Sequence, residues 1–406
     1  MILTNRNKLT AAVLAALMTL CGCSSAPQNE SSKPETSEQE YPVIEAGIYD
    51  ISKYGNIILT ISPNTMIQYG YEEADIIDVQ IGSAHEAMPI GTNYSDVDVG
   101  RAVCRYDLEN DPPYITLALS GGNLTSAMGV ADKKETNDEK GFTWIYRDGI
   151  DENVTIYIRM AEKQGYADEY QIHKVTSTRT NERADYPDLS DAEFANFRAV
   201  STAGMGKDTL FRSSSPVNPK IGRNRQADEA LSLNGIRTVL NLADYEQEMK
   251  AFPDYSSTYY SECGIMNLAM SMDLSVEENR IKLAQGLRFM ISHDGPYLIH
   301  CLEGKDRTGF TIAVLESLMG ASIGEVVEDY MVTYHNFYGV EEDSENYGRI
   351  AAIITQQLQN AYGTTEFKEN ESLSSYARDY LLGIGLSDEE IAELKARLAV
   401  NYGGQE

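Results

Sequence analysis

The sequence predicts an α/β protein in which a small β-rich domain precedes a larger domain with a central, parallel-type sheet flanked by helices. In the first half, short runs of β-branched residues alternate with Gly, Pro, Asn and Asp turns. In the second half, apolar strand-like runs alternate with helical patterns, as they do in parallel α/β sheets. With 406 residues, 42% of them hydrophobic, the chain is long enough to form two or three cores.

The first residues have the features of an export signal. Arg6 and Lys8 precede an apolar run over residues 9–20, which is too short to span a bilayer. Residues 20–23, Leu-Cys-Gly-Cys, resemble the lipobox of bacterial lipoproteins, which implies a signal peptide over residues 1–23 and a lipid on Cys23. A simple secretory signal cut nearby is the alternative. We expect an exported protein, anchored by lipid to the outer face of the bacterial cytoplasmic membrane, or else periplasmic or at the cell surface.

A flexible linker and a β-rich domain follow. Residues 24–40 contain no large apolar side chain and cannot form a core. The β-rich domain, residues 41–186, is predicted as a small barrel or sandwich with strands over residues 56–61, 76–81, 114–119 and 154–159. Residues 54–57, 93–96 and 121–124 resemble the C-terminal barrel of the S-adenosylmethionine hydroxide adenosyltransferases. This resemblance brings no catalytic residue with it, so an accessory or docking role is favoured.

The second predicted domain covers residues 189–406. Residues 235–242 and 297–299 have the pattern of buried strands, while residues 225–233 and 308–319 have helical spacing. Two further helices are predicted over residues 375–382 and 385–398. Capping boxes, in which a Ser precedes a Glu by three positions, predict helix starts at Ser190, Ser275, Ser322 and Ser387.

A loop between the second strand and its helix has the features of an anion site. It must fold into a tight cup whose N–H groups point inward at the helix N-terminus. Cys301 lies where those groups and the helix dipole favour a thiolate. Arg307 closes the cup with a guanidinium that can bind two phosphate oxygens. Gly304 lets the backbone pass close to a ligand, and His300 can orient the cup through backbone carbonyls.

The ten residues from His300 to Gly309, His-Cys-Leu-Glu-Gly-Lys-Asp-Arg-Thr-Gly, resemble the signature loop of cysteine-dependent tyrosine and dual-specificity phosphatases. The Gly-Lys-Asp-Arg form is similar to the bacterial branch that acts on phosphotyrosine and, in some members, on phosphoinositides. Residues 196–198, 210–214 and 380–387 resemble further motifs of this family. Residues 199–202, Ala-Val-Ser-Thr, depart from the expected Asp-Leu-Gly-Gly and leave the role of that turn open.

The resemblance implies a protein-tyrosine-phosphatase-like hydrolase of phosphoric monoesters. Cys301 would attack the phosphate ester and form a thiophosphate, which water then hydrolyses. The Thr308 hydroxyl can donate to the thiolate. The phosphate would be held by Arg307 together with the loop residues Leu302, Glu303, Gly304, Lys305 and Thr308.

Two carboxyl groups compete for the role of general acid. Asp306 lies inside the loop, at the position proposed for the acid in the Gly-Lys-Asp-Arg branch, and we favour it. Its alternative role is to rigidify the loop by pairing with Arg307 or Lys305. Asp273 lies 28 positions before Cys301, in the segment that carries the acid in many related phosphatases. It could instead be a helix N-terminal residue that the dipole favours.

The substrate is left open between phosphotyrosine, another phosphoprotein, a phosphoinositide and an inositol phosphate. Lys305 adds a second cation to the cup, which favours a multiply phosphorylated substrate. A catalytically silent phosphate-binding lipoprotein is a further alternative. The net charge of −29 argues against nucleic acid, and the cysteines form no metal-ligand cluster, so no metal or cofactor is expected. Cys263 could form a protective disulfide with Cys301, although two unlinked thiols are favoured.

Overall fold

The computed structural model describes residues 41–402, apart from residues 109, 138, 139, 148 and 274. The predicted signal peptide, Cys23 and the predicted linker lie outside the described residues. From Pro42 onward the chain forms one compact unit. Within the described part, every helix is too short or too polar to cross a bilayer.

The structure contains the strands β1 (Ile44–Ala46), β2 (Ile48–Ile51), β3 (Ile57–Leu59), β4 (Ile76–Ile81), β5 (Ala84–Gly91), β6 (Ala102–Asp107), β7 (Tyr114–Leu119), β8 (Ala131–Glu135), β9 (Phe142–Tyr146), β10 (Ile156–Glu162), β11 (Arg198–Ala199), β12 (Leu210–Ser213), β13 (Thr238–Asn241), β14 (Gly264–Asn267) and β15 (Tyr297–His300). Its α-helices are α1 (Pro63–Gln68), α2 (Leu124–Ala127), α3 (Ala167–Thr176), α4 (Asp191–Phe194), α5 (Asn224–Leu233), α6 (Glu246–Lys250), α7 (Glu277–Ser292), α8 (Asp306–Met319), α9 (Ile323–Tyr338), α10 (Tyr347–Tyr362), α11 (Ser374–Gly383) and α12 (Asp388–Leu398).

The β-rich part is an eight-stranded sheet in the order β1-β10-β4-β5-β6-β7-β3-β2. Its two edge strands, β1 and β2, are consecutive in the chain and separated only by Gly47. The two edges therefore meet, and the sheet curls into a nearly closed barrel. Alternate residues of β4, namely Ile77, Val79 and Ile81, are fully buried inside it, as the period of two requires. The predicted β-rich fold is confirmed in its barrel form.

The second sheet has the order β11-β12-β15-β13-β14, and all its neighbours are parallel except β11 and β12. Helices cover both faces. Tyr297 and Ile299 of β15 pack in the core formed with α7 to α12, whereas Leu298 between them packs with α5 on the other side. The predicted α/β domain with a central parallel-type sheet is therefore confirmed.

The register of this sheet determines where the cysteine loop lies. His300, the last residue of β15, is level with Ser213 of β12 and with Asn241 of β13. Because parallel strands end at one edge, the segments that follow β12, β13 and β14 all leave the sheet beside Cys301. Residues distant in the chain can thus contact the loop.

Three of the four predicted capping boxes are present, at Ser190, Ser322 and Ser387. The one predicted at Ser275 is wrong. Helix α7 begins at Glu277, and its N-cap, Val276, has no capping side chain. The Ser275 hydroxyl instead donates to the Asp273 carboxylate at 2.6 Å.

Candidate active site

The segment between β15 and α8 forms a cup whose backbone carbonyls face outward. The Leu302 carbonyl accepts from the Ser215 N–H at 3.0 Å, and the Gly304 carbonyl accepts from the Arg212 guanidinium at 2.8 Å. The Glu303 carbonyl accepts from the Asn196 amide at 3.2 Å. In a trans peptide the N–H points opposite to the carbonyl, so the N–H groups of residues 303–305 face inward. These donors form a cradle for an anion.

Gly304 is required by the shape of this cup. Its φ is +68°, in the left-handed region that L side chains rarely adopt. A Cβ added there would lie 2.1 Å from the Ser213 carbonyl oxygen, since the loop passes directly over the end of β12. A side chain at this position would push the loop away from its anchors.

Cys301 lies at the base of the cup with 3% of its surface exposed, and His300 supports it from behind. Burial lowers the pKa of His300 to about 4, so the ring is neutral at physiological pH. Its Nδ1 lies 3.1 Å from the Cys301 carbonyl oxygen, and its Nε2 lies 2.8 Å from the Tyr260 hydroxyl. A neutral ring can satisfy both contacts if Nδ1–H donates to the carbonyl and Nε2 accepts from Tyr260. This pair holds the backbone at Cys301 in one orientation.

Arg307 closes the cup and is fixed from one side. Its Nη1 donates to the Met270 carbonyl at 3.0 Å and to the Leu242 carbonyl at 3.4 Å, in the segments that follow β14 and β13. Its Nε is buried with no hydrogen-bond partner among the described residues, and the Thr308 hydroxyl oxygen is in the same state. Unmatched buried polar groups are costly, and a bound phosphate would satisfy both as donors.

The two carboxyl groups predicted as candidate acids differ in environment. Burial raises the pKa of Asp306, and Lys305 and Arg307 only partly oppose that rise, although 34% of the side chain is exposed. Asp273 is exposed, and hydrogen bonds from the Ser275 hydroxyl and N–H lower its pKa. Asp306 therefore retains a proton to higher pH than Asp273 does.

Lys305 belongs to a row of alternating charges. Arg179 pairs with Glu303, Glu303 lies 3.3 Å from the Lys305 ammonium, and Lys305 lies 3.8 Å from Asp306. Burial raises the pKa of Glu303, but Lys305 and Arg179 outweigh that effect and lower it overall. The Lys305 charge is thus already paired with the Glu303 carboxylate, so less of it is available to a second phosphate than the sequence predicted.

Comparison with known proteins agrees with this geometry. A model described as "Tyrosine phosphatase family" matches residues 159–400, more than half of the chain. The chain belongs to the tyrosine phosphatase family. A protein from Nostoc commune named tyrosine-protein phosphatase is 33% identical over 122 residues, which cover 27% of this chain and 42% of that relative. The predicted family is confirmed. The match spans less than half of the length of the Nostoc relative, so the activity in that relative's name is a proposal for this chain.

Three solved structures are among those similar to the chain. TpbA from P. aeruginosa is 18% identical, covering 44% of this chain and 88% of its own, with a TM-score of 0.27. The core catalytic domain of the PP-IP phosphatase SIW14 from S. cerevisiae, in complex with citrate, is 16% identical, covering 43% and 96%, with a TM-score of 0.26. PTPMT1 in complex with PI(5)P is 13% identical, covering 46% and 96%, with a TM-score of 0.23.

Behind the loop of this phosphatase-family chain lies an ion-pair network that the sequence analysis missed. Asp329 on α9 accepts from Arg198 at 2.8 Å and also pairs with the fully buried Arg212. Arg212 in turn binds the Gly304 carbonyl. The available signal was a carboxylate beside the apolar Val326 and Tyr330 on one helix face, because a buried carboxylate there needs a cationic partner.

The suggested disulfide between Cys263 and Cys301 is wrong. Cys263 precedes the first residue of β14, whereas Cys301 follows the last residue of β15, and β13 lies between these strands. With a rise of about 3.3 Å per residue the two cysteines are separated by roughly 15 Å along the strands, whereas a disulfide requires Cα atoms within about 7 Å. Both thiols are free, and burial raises the pKa of Cys263 to about 12.

Proposed function

We propose that this protein is a cysteine-dependent phosphatase that hydrolyses phosphotyrosine in proteins through a thiophosphate on Cys301. The observation that carries the proposal is the set of donors around Cys301. These donors are the inward N–H groups of residues 303–305 and the unmatched Arg307 Nε and Thr308 hydroxyl. Together these donors can bind the oxygens of a phosphoryl group while it is transferred from the substrate to Cys301.

The first half-reaction breaks the phosphoester bond. The Cys301 sulfur attacks phosphorus in line with the tyrosine oxygen, so a P–S bond forms as the P–O bond breaks. Arg307 and the loop N–H groups hold the equatorial oxygens. The departing phenolate oxygen takes the proton of Asp306, whose raised pKa keeps that proton available.

The second half-reaction restores the enzyme. Water attacks phosphorus and gives a proton to the Asp306 carboxylate, while the P–S bond breaks. Inorganic phosphate leaves, the Cys301 thiolate is regenerated, and Asp306 is protonated again.

Two observations favour phosphotyrosine over inositol polyphosphates. The Lys305 charge, which suggested a polyphosphorylated substrate, is paired with the Glu303 carboxylate. The relative that is 33% identical is named a tyrosine-protein phosphatase. We further propose that a lipid on Cys23 anchors the protein to the outer face of the cytoplasmic membrane. The protein would then meet its substrate outside the cytoplasm.

Phosphate release by the signal-less protein tests this function. The substrates are a phosphotyrosine peptide, a phosphoinositide and inositol hexakisphosphate. Each is assayed with the wild-type protein, with Cys301→Ser and with the matched control Cys263→Ser. We expect the peptide to be the best substrate, Cys301→Ser to lose about 10⁴-fold or more, and Cys263→Ser to retain activity. A phosphocysteine peptide trapped at low pH would be detected by mass spectrometry. Release that survives in Cys301→Ser, or a preference for inositol hexakisphosphate, would contradict the proposal.

A further inference from the structure

A groove of two adjoining cavities runs beside the cup, between α7, α10 and α11. The cavities have volumes of about 290 Å³ and 280 Å³ and share Arg280, Ala361 and Tyr380 as lining residues. We call this the side groove. Phe310 lines its near end and lies on α8, one helical turn after Arg307. The side groove therefore begins about one turn of helix from the phosphate cup.

The lining of the side groove combines apolar surface with amide groups. Phe310 and Tyr380 pack edge to face with ring centroids 6.1 Å apart and supply the apolar wall. Gln357 and Asn360 of α10 supply side-chain amides. The Gln357 Oε1 is buried with no hydrogen-bond partner among the described residues. Amides beside an apolar wall suit the alternating N–H and C=O groups and the side chains of an extended peptide.

Arg280 is the one cation among the described residues that line the side groove, and it is weakly paired. Its one ion pair among the described residues is a 3.9 Å contact with Glu277, and 43% of its side chain is exposed. The carboxylates at the rim already have closer partners, since Asp273 accepts from Ser275 and Asp379 from Arg378. Arg280 is thus positioned to pair with a carboxylate from outside the protein.

We propose that the side groove binds the polypeptide that flanks the phosphotyrosine, with Arg280 pairing an acidic residue of that segment. This inference rests on the proposed function and specifies its substrate as an acidic phosphopeptide. A phosphoinositide headgroup fits less well, because it carries several negative charges and the lining residues of the groove offer one guanidinium, which a single carboxylate matches.

Two phosphotyrosine peptides test the proposal, one with Glu at the positions flanking the phosphotyrosine and one with Gln. They are compared with p-nitrophenyl phosphate, which occupies only the cup. For Arg280→Gln we expect kcat/KM on the Glu peptide to fall about tenfold, with changes under about twofold on the Gln peptide and on p-nitrophenyl phosphate. Arg288→Gln is the matched control, since it lies on the same helix with 43% of its side chain exposed but pairs with Glu390. It should leave all three rates unchanged.

A second variant tests main-chain recognition. Gln357→Leu should lower kcat/KM about threefold on both peptides equally and spare p-nitrophenyl phosphate, because it removes hydrogen bonds to the backbone rather than to an acidic side chain.

Two results would overturn the side-groove proposal. One is that Arg280→Gln leaves the Glu peptide unaffected or slows p-nitrophenyl phosphate equally. The other is that Arg280→Gln lowers phosphate release only from phosphatidylcholine vesicles that carry a phosphatidylinositol phosphate. That result would assign the groove to a lipid headgroup. Wild-type protein that releases phosphate from neither peptide nor p-nitrophenyl phosphate would instead contradict the proposed function itself.

Discussion

At the scale of single residues, Asp306 and Asp273 illustrate how environment separates two identical side chains. Both were candidate acids by position in the chain. Burial raises the pKa of Asp306, while the Ser275 hydrogen bonds to Asp273 lower its pKa. A general acid must hold its proton at the working pH, so the structure favours Asp306 for this role.

Esters with different leaving groups can show which of the two carboxyl groups is the general acid. Asp306→Asn should lower kcat/KM about 10²-fold on phenyl phosphate, whose phenolate is a poor leaving group. It should affect kcat/KM on p-nitrophenyl phosphate far less. Asp273→Asn should change neither by more than about twofold. Steady-state rates on both esters are the measurement, and the reverse ranking of the two variants would assign the acid to Asp273.

The same residue predicts a pH dependence. Because Asp306 acts while protonated, kcat/KM should fall as the pH rises through its raised pKa. This alkaline limb should disappear on phenyl phosphate in Asp306→Asn, in which no proton is left to lose. A limb that persists in the variant would belong to another group.

At the scale of secondary-structure elements, α9 contributes to the loop through one buried charge. Burial would raise the pKa of Asp329, but Arg198 and Arg212 outweigh it and lower this pKa to about 2. Asp329 is therefore ionised and stabilises the fold at any pH above its ordinary value of 3.8. That stabilisation should be lost as the pH falls towards 2.

Asp329→Asn should lower the free energy of unfolding by about 3–5 kcal/mol, because it removes the carboxylate to which the Arg198 and Arg212 guanidinium groups both hydrogen-bond. Urea unfolding at neutral pH measures this, and the difference from wild type should shrink between pH 4 and pH 2. Asp379→Asn is the control, since this carboxylate is 75% exposed and the change should be within about 0.5 kcal/mol. If the two variants lower the free energy of unfolding equally, the Asp329 ion pairs do not stabilise the fold as we expect.

The elements that the sequence predicted share strong local signals. β4 and β7 coincide with the predicted residues 76–81 and 114–119, and α8 and α12 lie within three residues of the predicted bounds. Helix α10 was missed because its N-cap, Asn346, makes no capping hydrogen bond. Strand β8, Ala-Asp-Lys-Lys-Glu, was missed because four of its five residues are exposed and show no alternation.

At the scale of the whole molecule, the segment after the barrel contacts the phosphatase part at several points. Ile172 and Val175 of α3 pack against the main core, Arg349 of α10 pairs with Asp168 at 2.8 Å, and Arg179 pairs with Glu303 inside the cup. The segment between the barrel and α4 thus contacts the catalytic loop through the ion pair of Arg179 with Glu303. The division at residues 186–189, the accessory role of the barrel and its likeness to the adenosyltransferases stay predictions.

Arg179→Gln should lower kcat/KM about three- to tenfold on every substrate, since Glu303 loses the partner that orients it. The alkaline limb should also move to higher pH, because an uncompensated Glu303 charge favours the proton on Asp306. The other groups that act on Asp306 are Lys305, Arg307 and the phenols of Tyr330 and Tyr334. Measured pH profiles should be unchanged in the control Arg349→Gln, which breaks an ion pair of the same junction away from the loop. If the alkaline fall in kcat/KM stays at the same pH in Arg179→Gln, the Glu303 charge does not act on the pKa of Asp306 in this way.

The lipid anchor is predicted for the full chain. Cys23→Ser should move the protein from the membrane fraction to the soluble fraction of cells, whereas Cys21→Ser should leave it in the membrane fraction. Immunoblots of the two fractions are the measurement. Membrane retention of the Cys23 variant would indicate another means of attachment.

The sequence alone determined the phosphate cup, because Cys301 to Arg307 are contiguous and a strand, a loop and a helix of known signals build it. It also determined the starts of α4, α9 and α12, which depend on capping residues within one turn. Only the tertiary structure decided which carboxyl keeps its proton, how far Lys305 is already paired, and that Arg179, Arg212 and Asp329 support the loop. Burial depends on the whole fold, and the ion pairs of Arg179 with Glu303 and of Arg212 with Asp329 join segments more than 100 residues apart in the chain.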